Sequence, residues 1–328
     1  MCLITLSMPI YNVEKYVERA LISALNQTYQ ELEVLIVDDL GHDKSMEIVH
    51  LIKKTHIRGN CIRIITHQKN IGLGGTRNTA IEHARGKYLY FMDSDDAITP
   101  DCIESLYNII SKEKVDFVAA GINQVDENGN LLQATSYPNI IRRGKLCVAQ
   151  YFYKEKQDIW VTTWNKLYNT TFLREFQIRV LEHVYHEDIA MHAMLALKAR
   201  SFALIDKITY NYYCKRKDSI TNIEHGYTLK HINDLAIVFN EVRELISSDK
   251  NIDYQLRKAI NIYYLIELYY RYLSAMHSNI EKRELKKGLA KLSQKGIAPI
   301  WDIQLTKKSI RRFLFLKLPF CIQNQLKK

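Results

Sequence analysis

Residues that interrupt regular structure are scarce: 328 positions hold 12 glycines and 5 prolines, too few for a fibrous or disordered polypeptide. No apolar run approaches the roughly 18 to 20 residues that span a bilayer. The amino-terminal stretch MCLITLSMPIYNVEKY has no basic segment ahead of its short apolar run, so neither a membrane span nor a secretory leader is expected. The six cysteines, Cys2, Cys61, Cys102, Cys147, Cys214 and Cys321, form no CxxC pair. Reduced structural thiols in a cytoplasmic protein are therefore expected rather than disulfides or zinc. His183, His186 and His192 lie close in sequence, yet neither HExxH nor HxxEH occurs, which speaks against a catalytic zinc site. Acid is also in deficit, with 46 Lys and Arg against 36 Asp and Glu, a formal charge of +10. Such a balance attracts nucleic acid, anionic lipid or phosphorylated small molecules. From Thr306 to Lys328 there are seven basic residues and no acid, interleaved with Phe313, Leu314, Phe315, Leu316, Leu318 and Phe320.

What is present is ordinary globular composition, 47% hydrophobic and 25% charged, in a chain long enough for one large domain and a smaller one. The first half alternates strands and helices: strand Leu3–Met8, helix Val13–Asn26, strand Glu33–Val37, helix Lys44–Lys54, strand Ile62–Thr66, helix Thr76–His83, strand Tyr88–Met92. A helix over Asp101–Lys112, a strand over Val115–Ala119 and a turn at Asp126–Asn130 extend it. This rhythm predicts an α/β fold built on a doubly wound, mostly parallel sheet with helices on both faces. Past Arg142 the pattern is mixed, with a helix beginning near Glu187 and an aromatic strand in ITYNYYCKRKDSIT. From about Tyr227 apolar residues recur at helical spacing, so a smaller helical region closes the chain. The expected domains are 1–222 and 223–328.

Open sheets bind ligands outside the carboxyl ends of their strands, which directs attention to three strand exits and two helix starts. In KYLYFMDSDD a buried strand runs into Asp93, Asp95 and Asp96, and residues two apart in extended chain face one ligand together. Mg2+ or Mn2+ accepts one or two such carboxylates and fills its other positions with water and substrate phosphate, whereas a helix cap or Asx turn is the structural alternative. VDDLGHDKS places Asp38 and Asp39 at a second strand end, able to accept from a base or ribose hydroxyl, with Asp43 as cap of the next helix. NIGLGGTRN sets Gly72, Gly74, Gly75, Arg77 and Asn78 around a helix start, either a diphosphate cradle or a plain βα turn. In SMPIYN, Pro9 and Tyr11 leave the first strand, the tyrosine able to stack on a nucleobase or to pack on the rim. Glu187 and Asp188 open a helix, where the dipole alone would favour them.

Taken in this order, SMPIYNVEKYVERALISALNQTYQELEVLIVDD, NIGLGGTRNTAIEHARGKYLYFMDSDD and the later HED resemble the family 2 glycosyltransferases of the GT-A fold, over roughly residues 3 to 220. The resemblance implies an inverting enzyme that passes a sugar from a nucleotide diphosphate, UDP by family habit, to a hydroxyl of a glycan or lipid-linked acceptor, with Mn2+ or Mg2+ as cofactor. It implies Pro9, Tyr11, Glu14 and Asp38 or Asp39 around the base, Arg77 at the phosphates, Asp93 at the ribose side, Asp95 on the metal and Asp188 as general base beside Glu187. Tyr213, Arg216 and Ser219 match a segment that closes over the diphosphate, and Trp164 and Asn165 flank the acceptor side. One departure stands out: the family usually shows Gly-Ser after the paired acids, where this chain has Leu40-Gly41. A sugar-phosphate nucleotidyltransferase would place a glycine-rich basic loop after the first strand, which PIYNVEKY is not. A purely binding role for nucleic acid or membrane ill suits acids gathered at strand ends. The basic, apolar tail 306–328 is expected either to pack on the core or to hold the enzyme on the inner, anionic face of the cytoplasmic membrane.

Overall fold

The computed structural model describes residues 2–214, 227–296, 307–318 and 323; Arg216 and Ser219 lie outside the described residues. The chain divides into two compact units. The first joins Met1–Val148, Ile159–His183 and Lys198–Ser219; the second joins Ala149–Asp158, Val184–Leu197 and Ile220–Lys328.

The first unit is built on one sheet. Its strands are β1 (Ile4–Ile10), β2 (Leu32–Asp38), β3 (Ile62–Thr66), β4 (Tyr88–Phe91), β5 (Ala97–Ile98), β6 (Phe117–Val125), β7 (Leu131–Thr135), β8 (Ile140–Arg143), β9 (Lys166–Asn169) and β10 (Ser201–Tyr213). The spatial order is β3-β2-β1-β4-β9-β6-β10-β5, with β7 beside β6 and β8 beside β10. The β3-β2-β1-β4 half is parallel. Beyond β4 the sheet turns mixed, because β9 runs antiparallel to both β4 and β6 while β6 and β10 run parallel.

The helices are α1 (Val17–Leu25), α2 (Ser45–Thr55), α3 (Gly72–His83), α4 (Cys102–Glu113), α5 (Cys147–Ala149), α6 (Thr170–Glu175), α7 (Glu187–Lys198), α8 (Leu229–Ser248), α9 (Tyr254–Met276), α10 (Lys282–Gly296) and α11 (Lys307–Lys317). Alternation along β1 sends Ile4, Leu6, Met8 and Ile10 into one core with the buried faces of α1, α2 and α4. On the other side of the same strands, α3 packs against β1 and β2 and against α6. Both faces of the central strands are thus covered, which is why every residue of β2 and β4 is buried without alternation.

Two boundaries differ from the periodicity. The segment from Val13 to Tyr16 is a turn, closed by Tyr16 N on Val13 O, so α1 begins at Val17. In turn, α3 starts at Gly72 rather than Thr76, which places the glycines inside its first turn and Arg77 and Asn78 in the second.

Pro9 lies within β1 although proline cannot donate to a ladder. Ser7 O accepts from Met92 N on the β4 side, and Ile10 O accepts from Asp39 N on the β2 side. Odd residues therefore face β4, which ends at Phe91 opposite Ser7. Pro9 points its missing donor at the edge where no strand remains.

In the second unit, α10 packs on α8 and α11 packs on α9. Thr228 caps α8 through His231, and Asp253 caps α9 through the amides of Gln255 and Leu256. The tyrosine-rich run of α9 is core: Tyr264 bonds Tyr153 hydroxyl to hydroxyl at 2.7 Å and packs edge-on to Phe239. Burial, followed by the neighbouring tyrosines, pushes the Tyr153 phenol well above its ordinary range. No helix of the described residues is long and apolar enough to cross a membrane.

Candidate active site

The carboxyl ends of β1 and β2 carry two loops laced together. Asn12 Oδ1 accepts from His42 N at 2.7 Å, and Glu14 N donates to Asp43 Oδ2 at 2.8 Å. Glu14 Oε2 accepts from Lys44 N at 3.0 Å. Asp43 also accepts from Ser45 N and Oγ, at the entrance of α2 but one residue ahead of its N-cap, Lys44, rather than as the cap expected. Burial would raise its carboxyl, but the Ser45 hydroxyl and these amides hold it below the usual range. Close approach demands glycine at 41, where an added Cβ would lie 2.8 Å from Asn12 N. Leu40 keeps the left-handed backbone, φ +60°, that the family's glycine would adopt without strain. Tyr11, at the exit of β1, is 46% exposed.

Asp38 and Asp39 have different duties. Asp39 is 1% exposed. Its Oδ1 meets His67 Nδ1 at 2.7 Å and Ile71 N at 2.9 Å, and its Oδ2 accepts from Gly72 N at 2.8 Å. This carboxylate is spent on holding the entrance of α3, and the two amides it takes are ones a diphosphate would otherwise compete for. Asp38 makes only a local turn, accepting from Leu40 N at 3.0 Å.

The glycines of α3 serve close approach of the chain to itself. A Cβ on Gly74 would lie 2.0 Å from Leu181 O. Asn78, in the next turn, exchanges hydrogen bonds with Val180 O and N, both at 2.9 Å, and reaches Glu182. The segment 180–182 is strapped along α3. Arg77, 2% exposed, directs Nη2 to Asp93 Oδ1 at 3.0 Å.

At the end of β4, ligand oxygens of Asp93, Asp95 and Asp96 lie within 4.8 Å of one another. Asp96 is fully inside, its Oδ2 accepting from Tyr210 Oη and its Oδ1 from Tyr213 N, both at 2.8 Å. Burial first, then the charges of Asp95 and Asp93, push its carboxyl well above the carboxylate range, against the pull of those two donors. Tyr210 also accepts from Asp93 N at 3.2 Å. Three crowded carboxylates of hard oxygen suit Mg2+ or Mn2+, which would relieve their repulsion. Asp96 is engaged by β10 and Asp93 by Arg77, and Asp95 stands half-buried beside them. The fit to a divalent cation is therefore good.

Trp164 and Asn165 lie behind this loop. The Trp164 ring stacks on Tyr210 at 4.4 Å and is buried. Asn165, φ +56°, gives its amide to Ala120 O and Gly121 O and accepts from Tyr90 Oη and Thr209 Oγ1. Its side chain ties β4, β6 and β10 together. Tyr213 ends β10 with its amide on Asp96.

Glu187 and Asp188 open α7, in the second unit, with Glu187 buried and Asp188 half-buried. Before them His183 and His186 both have left-handed backbone, φ +58° and +64°. Burial, then the charges of Arg271 and His231, push the His186 imidazole down to about 3, so it is neutral. Among the described residues the histidines enter no group of three or more metal-ligating side chains.

Two cationic side chains, Lys166 and Arg19, escaped the sequence reading, and Asp96 was not told apart from its neighbours. Asp96 was one of three adjacent acids with nothing local to separate it from Asp95. Lys166, buried, donates Nζ to Trp160 O at 2.9 Å and Thr162 O at 2.7 Å. Arg19 donates to Asp95 O at 2.5 Å.

GlyA of Streptococcus pneumoniae, named a glycosyltransferase, is 27% identical over 79% of this chain and 36% of its own length. The chain spans 36% to 60% of the first curated relatives it matches. Residues 1–349 of Staphylococcus aureus TarS, solved with UDP-GlcNAc, superpose with a TM-score of 0.72 at 18% identity, covering 98% of this chain and 88% of that one. A Pyrobaculum calidifontis mannosyltransferase solved with GDP-Man and Mn2+ gives 0.56 at 15%, covering 100% and 88%. The fold is that of the GT-A glycosyltransferases. Residues 5–191, more than half of the chain and including both acidic strand ends, match the model of Glycosyl transferase family 2, and the chain belongs to that family.

Proposed function

We propose that this protein is an inverting glycosyltransferase that moves a hexosyl group from a UDP-sugar to a hydroxyl of a glycan or lipid-linked acceptor, in synthesis of cell-surface polysaccharide or glycoconjugate. The observation that carries the reading is the acidic loop after β4, three carboxylates within 4.8 Å with Arg77 on Asp93, in a family 2 chain. UDP-GlcNAc in TarS supports UDP as the nucleotide.

The exposed Tyr11 ring stacks on the base and Asp38 accepts from it, with Pro9 and Glu14 shaping the loop. Arg77 and Asp93 border the ribose and diphosphate. Asp95 would hold Mn2+ or Mg2+, which would supply charge neutralisation for the diphosphate; the Mn2+ of the Pyrobaculum enzyme supports the assignment. As the bond from the anomeric carbon to phosphate oxygen breaks, its electron pair goes to the diphosphate. The acceptor oxygen attacks the opposite face, and its proton passes to the carboxylate of Asp188, with Glu187 beside it. Trp164 and Asn165 support the acceptor side from behind, and Tyr213 stands beside the acidic loop at the end of β10. Residues 1–222 are read as the catalytic domain and 223–328 as a helical carboxyl-terminal region, although by compactness α7, with Glu187 and Asp188, groups with the second unit.

The second unit also supports peripheral docking on the inner face of the cytoplasmic membrane. The five basic residues of α11 accompany no acid; Phe315 and Leu316 are buried, while Leu314, 53% exposed, and Ile310 face outward.

The test is a screen of sugar nucleotides with Mn2+, reading nucleotide release, beside Asp95→Ala and Asp188→Ala. Each variant is expected to lose on the order of a hundredfold or more of the rate. Unchanged release in both would remove the assignment.

A further inference from the structure

The acidic loop is gripped from a side that the proposed chemistry does not use. Arg19 sits on α1, whose Val17, Ala20, Leu21, Ala24 and Leu25 are buried in the core. Its Nη2 donates to the backbone carbonyl of Asp95 at 2.5 Å. Its guanidinium carbon lies 3.5 Å from the centre of the Tyr213 ring, a cation stacked on an aromatic face. Tyr213 in turn gives its amide to Asp96 Oδ1 at 2.8 Å. The contacts close a circuit: Arg19 to Asp95, along the chain to Asp96, across to Tyr213, and back through the ring to Arg19. Three elements distant in sequence, α1, the loop after β4 and the end of β10, meet at one side chain.

We infer that Arg19 is a positioning residue for the acidic loop, fixing the direction of the Asp95 carboxylate and coupling it to the end of β10. The inference rests on the reading that the loop holds a divalent cation against a diphosphate. The partners of Arg19 here, a carbonyl oxygen and the ring faces of Tyr213 and, farther off at 5.9 Å, Tyr16, are uncharged. Beside three acids, a guanidinium would be expected to pair with a carboxylate; this one spends its strongest donor on the backbone of the ligand residue. That choice has an electrostatic cost. A fixed positive charge next to a cation site opposes cation binding by Coulomb repulsion. Planarity matters too, since lysine can replace the hydrogen bond but not the stacked plane.

The repulsion supplies the test, because positioning and charge predict opposite signs. Mn2+ binding is titrated in the presence of UDP by the electron paramagnetic resonance signal of unbound Mn2+, for the full chain, Arg19→Ala and Arg19→Lys, with thermal melts alongside. If Arg19 positions the loop, Arg19→Ala weakens Mn2+ binding roughly tenfold, about 1.4 kcal/mol, although a positive charge has been removed. Arg19→Lys, which restores a donor for Asp95 O, recovers part of that loss and keeps the test open should the alanine variant fail to fold. Equal or tighter Mn2+ binding by a folded Arg19→Ala, or by Arg19→Lys where only that variant folds, overturns the inference. Failure of the unaltered protein to bind Mn2+ with UDP overturns instead the functional reading on which it rests.

Discussion

Asp38 and Asp39 are adjacent acids at one strand end, and their replacement should give opposite phenotypes. Asp39 carries two backbone amides, Ile71 N and Gly72 N, together with His67. Hydrogen bonds to a charged group contribute about 1.5 to 3 kcal/mol each, and a lost helix cap costs about 1. Water reaches part of the half-buried entrance of α3 and offsets some of this, so Asp39→Ala should lower unfolding free energy by about 3 kcal/mol. Asp38 accepts one local amide, and Asp38→Ala should cost about 1 kcal/mol or less. Urea titration of both variants gives the stabilities, and titration with UDP gives binding. The expected split is a stability defect in Asp39→Ala and a binding defect in Asp38→Ala at near-normal stability. Equal stability losses, or a binding defect confined to the Asp39 variant, would refute the division of labour.

Gly74→Ala should be strongly destabilising, by about 2 kcal/mol or more, since its Cβ would lie 2.0 Å from Leu181 O; a normal melting curve would show that 180–182 moves freely off α3. Glu33 is buried yet accepts from Arg63, Thr5 and Arg85, and although burial raises its carboxyl, the Arg63 and Thr5 hydrogen bonds hold it below the usual range. A carboxyl depressed in the folded state contributes stability above its unfolded pKa and loses it as pH falls through the folded one. Glu33→Gln should therefore be destabilised by about 2 kcal/mol at neutral pH and converge on the parent in acid, as urea titrations from pH 7 down to pH 3 would reveal; a pH-independent gap would contradict this. In vesicle flotation, Leu314→Asp with Arg311→Glu should release the protein from anionic but not zwitterionic liposomes by about tenfold, each basic residue being worth about 1 kcal/mol, and unaltered flotation would end the docking proposal.

Local order in the sequence determined the parallel half of the first unit, whereas the antiparallel insertion of β9 between β4 and β6 was not legible there. Strand and helix periods repeat within a dozen residues, so β1 to β4 with α1 to α3 were legible, as were the acids ending β2 and β4 and the helical character after Tyr227. Identities at fixed spacing along SMPIYN, VDD, GLGGTRN and DSDD were enough for the family. Tertiary structure alone decided how those residues divide their work. Asp39 finds its partners 28 to 33 positions away, Asn78 more than a hundred away, and Asp96 a further 114 and 117. A carboxylate at a strand end looks alike in sequence whether it faces ligand or backbone amides. The choice is made by which distant donors the folded sheet brings within 3 Å, and by how completely burial forbids leaving those donors unpaired.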